Sequence, residues 1–158
     1  MFADLNNKVA LITGAGQGIG AGIARVFAGA GAKVMVVNRT PAHGERTVQE
    51  ISDAGGEAEL FATDIGEVEN INSAISQTIS KWGRIDIALH NAASFLGGTV
   101  EEYSEDDLET VLAVNLKACF RLSKAAIPYF KKQGGGRLLF TSSVTGPRVA
   151  MPGTSYYA

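Results

Sequence analysis

Apolar runs alternate along this chain with segments whose apolar positions recur at helical spacing. Lys8–Thr13 is apolar through Val9-Ala10-Leu11-Ile12, and Lys33–Asn38 through Val34-Met35-Val36-Val37. Ala58–Thr63, Ile85–His90 and Arg137–Thr141 are predicted as three further strands. Continuous apolar runs of this kind mark strands buried on both faces of a parallel sheet. The first helix is expected from Ile19 to Ala30, with Ile19, Ile23, Val26 and Phe27 on its apolar face. A second follows Thr40-Pro41, read as an N-cap with proline at the first helical position, and reaches Asp53 before Gly55-Gly56. Val68, Ile71, Ile75 and Ile79 predict a third. Ser104-x-x-Asp107 resembles a capping box. The long helix it opens, Asp107–Lys132, is apolar at Leu108, Val111, Leu112, Leu116, Cys119, Phe120 and Leu122, and Pro128 is expected to kink it or end it early.

The order β-α-β-α-β-α-β-α-β implies a doubly wound α/β sheet, the Rossmann architecture, with right-handed crossovers and strand order 3-2-1-4-5. Ligands of such sheets bind above the carboxyl ends of the strands, at the switch point between strands one and four. Those ends carry Thr13-Gly14-Ala15-Gly16-Gln17-Gly18-Ile19-Gly20, Asn38, Asp64, His90-Asn91 and Ser142-Ser143. A strand that turns through glycines into a helix N-terminus offers free N–H groups and the positive end of the helix dipole to a phosphate.

Composition narrows the picture. The 158 residues amount to one domain, 46% hydrophobic and 19% charged, with a net charge of −2. That balance argues against nucleic acid and anionic membranes as partners. No apolar run approaches the ~18 residues of a membrane span. The N-terminus lacks the features of a signal peptide, and the single cysteine, Cys119, cannot form an internal disulfide, so a reducing cytoplasm is expected. The acidic stretch from Glu101 to Asp107 reads as a solvated helix start rather than a metal site.

The glycine run fits T-G-x-x-x-G-x-G; Gly83-Arg84-Ile85-Asp86-Ile87 leading into His90-Asn91-Ala92-Ala93 resembles G-x-I-D-x-L-V-N-N-A-G, with His90 in place of the usual asparagine and Ala93 in place of the usual glycine. Asn115 to Phe120 fits N-x-x-x-x-F, and Gly136 to Gly146 resembles G-R-I-V-x-x-S-S-x-x-G. Together these motifs resemble the short-chain dehydrogenase/reductase family over the whole chain. The resemblance implies an oxidoreductase that moves a hydride between a nicotinamide cofactor and a carbonyl or alcohol substrate. It implies a homotetramer or homodimer with the long helix in the interface.

By the same resemblance, Ser143, Tyr157 and Asn115 are the catalytic set. Ser143 would hold the substrate oxygen, the tyrosine would exchange its proton, and Asn115 would hold a water of the relay. Tyr156 competes with Tyr157: the commonest spacing from the serine selects Tyr156, whereas Pro152-Gly153-Thr154-Ser155-Tyr156-Tyr157-Ala158 resembles P-G-x-x-x-Y-A-x-x-K and selects Tyr157. A phenol of ordinary pKa about 10 needs a nearby cation to act near neutrality. The family's lysine would fall beyond Ala158. Residues 1–158 are therefore expected to be one dinucleotide-binding domain, the N-terminal part of the family's domain without its last strands, and inactive alone. A non-catalytic dinucleotide-binding fragment is the alternative.

The cofactor is expected on Gly14, Gln17, Gly18, Ile19 and Gly20 at its phosphates, Asn38 and Arg39 at the ribose, Asp64 and Ile65 at the adenine, and Asn91, Ala92 and Ala93 beneath it. Asn38 stands where an acid often meets the ribose hydroxyls, and Arg39 follows it. A neutral amide beside a guanidinium favours a 2′-phosphate, hence NADP, with NAD as the alternative. Asp64 is also a candidate N-cap for the third helix. His90 is expected to be a satisfied, half-buried histidine rather than a catalyst. Cys119 reads as packing rather than a nucleophile.

Overall fold

The computed structural model describes residues 4–99 and 101–144. Along them run β1 (Val9–Thr13), α1 (Gly18–Gly29), β2 (Lys33–Asn38), α2 (Pro41–Asp53), β3 (Glu57–Ala62), α3 (Val68–Trp82) and β4 (Ile87–His90). Then come α4 (Glu105–Leu112), a π-helical turn (Ala113–Lys117), α5 (Ala118–Lys132) and β5 (Arg137–Phe140). The strands form one parallel sheet in the order β3-β2-β1-β4-β5, as the alternation predicts.

The pleat divides the apolar runs between two cores. Ala10, Ile12, Val34, Val36, Ile87 and Leu89 pack under α1 and α2; Leu11, Met35, Val37 and Ala88 face α3 and α5. β1 is buried along its whole length because it lies between β2 and β4 with helices on both sides. β5 has only β4 beside it among the described residues, and its Leu139 and Phe140 are exposed.

Two helix faces differ from the hydrophobic pattern. α1 buries Gly20, Ala21, Ala24 and Ala28, while Ile19 and Val26 are 70% and 56% exposed. Small side chains let the helix approach the sheet closely, so the larger residues turn outward. In α5 the buried series is Ala118, Leu122, Ala126 and Phe130, while Leu116 and Phe120 are 62% and 70% exposed. Pro128 neither ends nor shortens α5, which continues to Lys132. Leu122, Ala126 and Phe130, packed into the core on both sides of the proline, hold the helix through it. The break comes earlier, at the π-helical turn.

The helix starts also sort themselves. Ser104 Oγ accepts from Asp107 N at 3.0 Å while Ser104 N reaches back to Asp107 Oδ2, so aspartate completes the box in place of the usual glutamate. Thr40 and Pro41 occupy the expected N-cap and first positions of α2, without a hydroxyl cap bond. The N-cap of α3 is Glu67 rather than Asp64.

At the amino ends of the strands, Asp86 ties three of them together. Its carboxylate accepts from Val9 N at 3.0 Å and from Arg84 Nε and Nη2 at 2.8 and 2.6 Å, and Lys8 Nζ lies 3.7 Å away. Its main chain bonds Val9 O and Arg137 N, each at 2.8 Å. Burial alone raises the Asp86 pKa, but the Arg84 hydrogen bonds, the Val9 N–H and the two nearby cations outweigh it and hold the carboxyl below the ordinary value. A depressed carboxylate pKa stabilises the fold above the unfolded value and loses that stabilisation as pH falls through the folded one. Asp86→Asn is expected to lower stability by about 2–3 kcal/mol at neutral pH, through lost charge-assisted bonds. The deficit should shrink as pH falls from the ordinary carboxylate value of about 4 through the lower value of the folded Asp86 carboxyl. Urea unfolding at neutral and acid pH checks both.

Candidate cofactor and substrate site

The switch point lies between β1 and β4, where α1 on one face and α3 with α5 on the other cover the sheet. Above it the glycine loop leaves β1. Gly14 has φ +66°, and a Cβ there would stand 2.7 Å from Ala92 Cα. Gly18 has φ +54°, and its Cβ would meet nothing within 4 Å. The first glycine is thus required by close packing on the β4 end, while the second opens onto empty space at the first residue of α1.

The N-terminus of α1 is electrostatically bare. Gln17 is its N-cap with extended backbone, its side chain makes no cap bond, and the first turn holds no acidic residue. The dipole and the N–H groups of that turn are available to an anion. A phosphate group therefore fits here by charge, by donors and by space.

Neighbouring side chains brace the loop. Asn38 Oδ1 accepts from Gly16 N at 3.2 Å, and its Nδ2 donates to Thr40 O at 2.8 Å. Asn91 Nδ2 donates to Gly14 O at 3.3 Å, and its Oδ1 accepts from Thr141 Oγ1 at 3.1 Å. Asn91 so joins the ends of β1, β4 and β5. Ala92 is half-buried against the loop; Ala93 is exposed.

Arg39 is 76% exposed at its side chain and lies 3.7 Å from Asp64 Oδ2. Such an exposed pair is worth well under about 1 kcal/mol, so the guanidinium is free to turn to another anion. Asp64 does not cap α3; its Oδ1 accepts from Gly66 N at 2.9 Å and closes a tight turn after β3. Ile65 is buried in the core, which leaves only its main chain to face the site.

Asn115 lies in the π-helical turn, and π turns are frequent at functional sites. Its Oδ1 accepts from Ser94 N at 2.7 Å and its Nδ2 donates to Ser94 O at 3.1 Å. The side chain clamps the loop after β4 by both ends of its amide. Cys119 Sγ donates to Asn115 O at 3.4 Å, and burial pushes its thiol pKa up, away from nucleophile chemistry. Ser143 is exposed just beyond β5, at the same end of the parallel sheet as the loop. Tyr156 and Tyr157 lie outside the described residues.

His90 departs from the sequence reading. It is 3% exposed rather than half-buried, while its Nδ1 has the partner expected of a satisfied ring, Thr13 Oγ1 at 2.9 Å. The same hydroxyl oxygen accepts from Asn91 N at 3.1 Å and Ala92 N at 3.2 Å. Thr13 as the junction of three hydrogen bonds was not readable from its place in the motif. The available signal was that both residues end strands predicted to be neighbours.

A parallel sheet in the order β3-β2-β1-β4-β5, with helices on both faces and a bare helix N-terminus at its switch point, defines a Rossmann-like α/β protein. The chain matches the short chain dehydrogenase family over residues 8–158 and belongs to it. It is 41% identical over 143 residues to an uncharacterized oxidoreductase of Thermotoga maritima, covering 90% of this chain and 56% of that protein. It is 37% identical over 154 residues to oxidoreductase UcpA of Escherichia coli K12, covering 98% and 58%. The chain thus spans little more than half of these relatives' length. Among solved structures, a metagenomic short-chain oxidoreductase in complex with NADP superposes with TM-score 0.91 at 32% identity, covering 98% of this chain and 71% of that one. A short-chain type dehydrogenase/reductase from Mycobacterium marinum gives 0.92 at 31%, covering 98% and 63%.

Proposed function

We propose that this chain supplies the cofactor half of an NADP-dependent oxidoreductase that interconverts a carbonyl and an alcohol. The observation that carries the reading is the uncapped N-terminus of α1 under an open Gly18. The nicotinamide, when bound, supplies or accepts the hydride. Gly14, Gln17, Gly18, Ile19 and Gly20 would cradle the diphosphate. Asn38 and Arg39 would meet the adenosine ribose, and Asp64 with the Ile65 main chain the adenine. Asn91, Ala92 and Ala93 would line the floor. Ser143 would hold the substrate oxygen and Tyr157 would exchange its proton. Asn115 would fix the wall opposite through Ser94 and hold a water of the proton relay.

In this reading residues 1–158 are one dinucleotide-binding unit of a cytoplasmic enzyme. The exposed Leu116, Phe120 and Ile127 share one face of the π-helical turn and α5. That face would pack on a second copy in a homodimer or homotetramer.

The choice of NADP over NAD rests on Arg39 and the neutral Asn38. Arg39→Ala is expected to weaken NADPH by roughly tenfold or more and NADH by no more than about twofold, the loss of one charge-assisted contact. Equal losses would return the preference to NAD. The binding should be read from the cofactor's own fluorescence. Trp82 ends α3 and donates to Glu57 Oε1 at 2.5 Å at the start of β3, the end of the sheet away from the glycine loop.

A further inference from the structure

Arg121 reaches from α5 to the turn that follows β3. Its Nη1 donates to Gly66 O at 2.5 Å. Among the described residues no carboxylate pairs with this guanidinium. Its polar partner is therefore a main-chain carbonyl of the turn, in a bond strengthened by the charge on the donor. The rest of the turn is held as closely. Gly66 N donates to Asp64 Oδ1 at 2.9 Å, and Asn70 Nδ2 of α3 donates to Asp64 O at 2.8 Å.

The two anchors differ in what they fix. Asn70 belongs to the helix that the turn opens, so its bond ties the turn only to α3. Arg121 belongs to another element, and its bond places the turn relative to the rest of the site. Packing points the same way. A Cβ on Gly66 would stand 3.6 Å from Val114 Cγ2 and 3.9 Å from Ala113 Cβ, so the turn rests on the π-helical turn. That segment runs directly into α5 and also holds Ser94 through Asn115. Asp64 Oδ2 points away from these bonds' needs: its neighbour is the exposed Arg39 at 3.7 Å.

We propose that Arg121 is a positioning residue for the adenosine end of the cofactor: its guanidinium pins the Asp64–Gly66 turn against the π-helical turn. The inference rests on the cofactor reading above, in which Asp64 and the Ile65 main chain meet the adenine. With the turn pinned, the Asp64 carboxylate is presented to the adenine amino group in one place. The wall at Ser94 and the turn at Asp64 then hang from one helical segment, by Asn115 and by Arg121.

Amide hydrogen exchange of the chain without cofactor tests the pin. Arg121→Met keeps an unbranched apolar stem and removes the donors. Exchange at Gly66 N–H is expected to quicken by about tenfold or more, the size of one lost charge-assisted bond, while the β1 amides keep their protection. Unchanged exchange at Gly66, or a loss spread equally over β1, overturns the inference. Binding shows where the pin acts. Deamino-NADPH, with hypoxanthine in place of adenine, lacks the amino group that Asp64 would accept from. Arg121→Met should weaken NADPH by roughly tenfold and deamino-NADPH by no more than about twofold. Equal losses on the two would make the effect a general loosening and overturn the inference. If Arg121→Met does not fold, the wild-type NMR spectrum decides: Arg121 Nη protons without an Overhauser contact to Gly66 overturn the pin. A wild-type chain that binds neither dinucleotide overturns the cofactor reading instead, and the cofactor-free exchange at Gly66 then decides the pin by itself.

Discussion

Gly18→Ala should give a folded chain that binds NADPH at least about a hundredfold more weakly, whereas Gly20→Ala should lose both binding and stability. The two glycines sit two residues apart in one loop, and their surroundings are opposite. At Gly18 the added methyl meets nothing within 4 Å, and the only intrinsic penalty is φ +54°. A left-handed backbone costs a non-glycine residue roughly 1–2 kcal/mol, a tolerable fraction of the ~5–15 kcal/mol of a typical domain. The methyl projects into the space that the phosphates would enter, so the loss falls on binding. At Gly20 the methyl would lie 2.1 Å from Gly14 O and 2.6 Å from Asn91 Nδ2. The first contact is main chain and cannot swing aside. Relief requires moving the loop off the β4 end, at a cost of about 1–3 kcal/mol or more. Thermal unfolding with and without NADPH separates the two variants. Unchanged affinity in a folded Gly18→Ala protein would remove the phosphate-loop reading.

Tyr157→Phe is expected to lower turnover by roughly 10²–10⁴-fold in a protein extended past Ala158 through the family's lysine, the range for loss of a general acid–base. Tyr156→Phe should change turnover by no more than a few-fold. The reasoning is chemical. The proton on the substrate oxygen must come from or go to a hydroxyl, and a phenol serves near neutrality only beside a cation. Phenylalanine keeps the ring and removes the proton, so cofactor binding should survive both substitutions. A large loss at Tyr156 and a small one at Tyr157 would transfer the role to Tyr156.

The sheet was legible because its inner strands are apolar without interruption, a pattern that only burial on both faces requires. The strand order followed from the alternation of elements. The family followed from the register of Gly14, Gly18 and Gly20 after Thr13, supported by Asn91, Asn115 and Ser143 at neighbouring positions. The helix faces were less legible. α1 hides its core contact in Gly20, Ala21, Ala24 and Ala28, residues too small to stand out beside Ile19 and Val26. The π-helical turn shifts the phase between α4 and α5, so Leu116 and Phe120 leave the face that Val111 begins. Pro128 was misleading because core packing on both sides of it outweighs one lost hydrogen bond. The bonds of Asn38 to Gly16 and of His90 to Thr13 depend on chain segments brought together by the sheet. His90 meets Thr13 only because β1 and β4 pair in the register that sets Thr13 opposite His90.

The central claim is that the loop from Gly14 to Gly20 holds the phosphates of a nicotinamide dinucleotide. Titration of the chain into NADPH, followed by cofactor fluorescence beside the Gly18→Ala variant at equal concentration, tests it most directly. Saturation at one cofactor per chain, with that signal lost in the folded variant, is the expected result. A folded wild-type chain that gives no saturable signal, or a variant that binds as well as wild type, would contradict it.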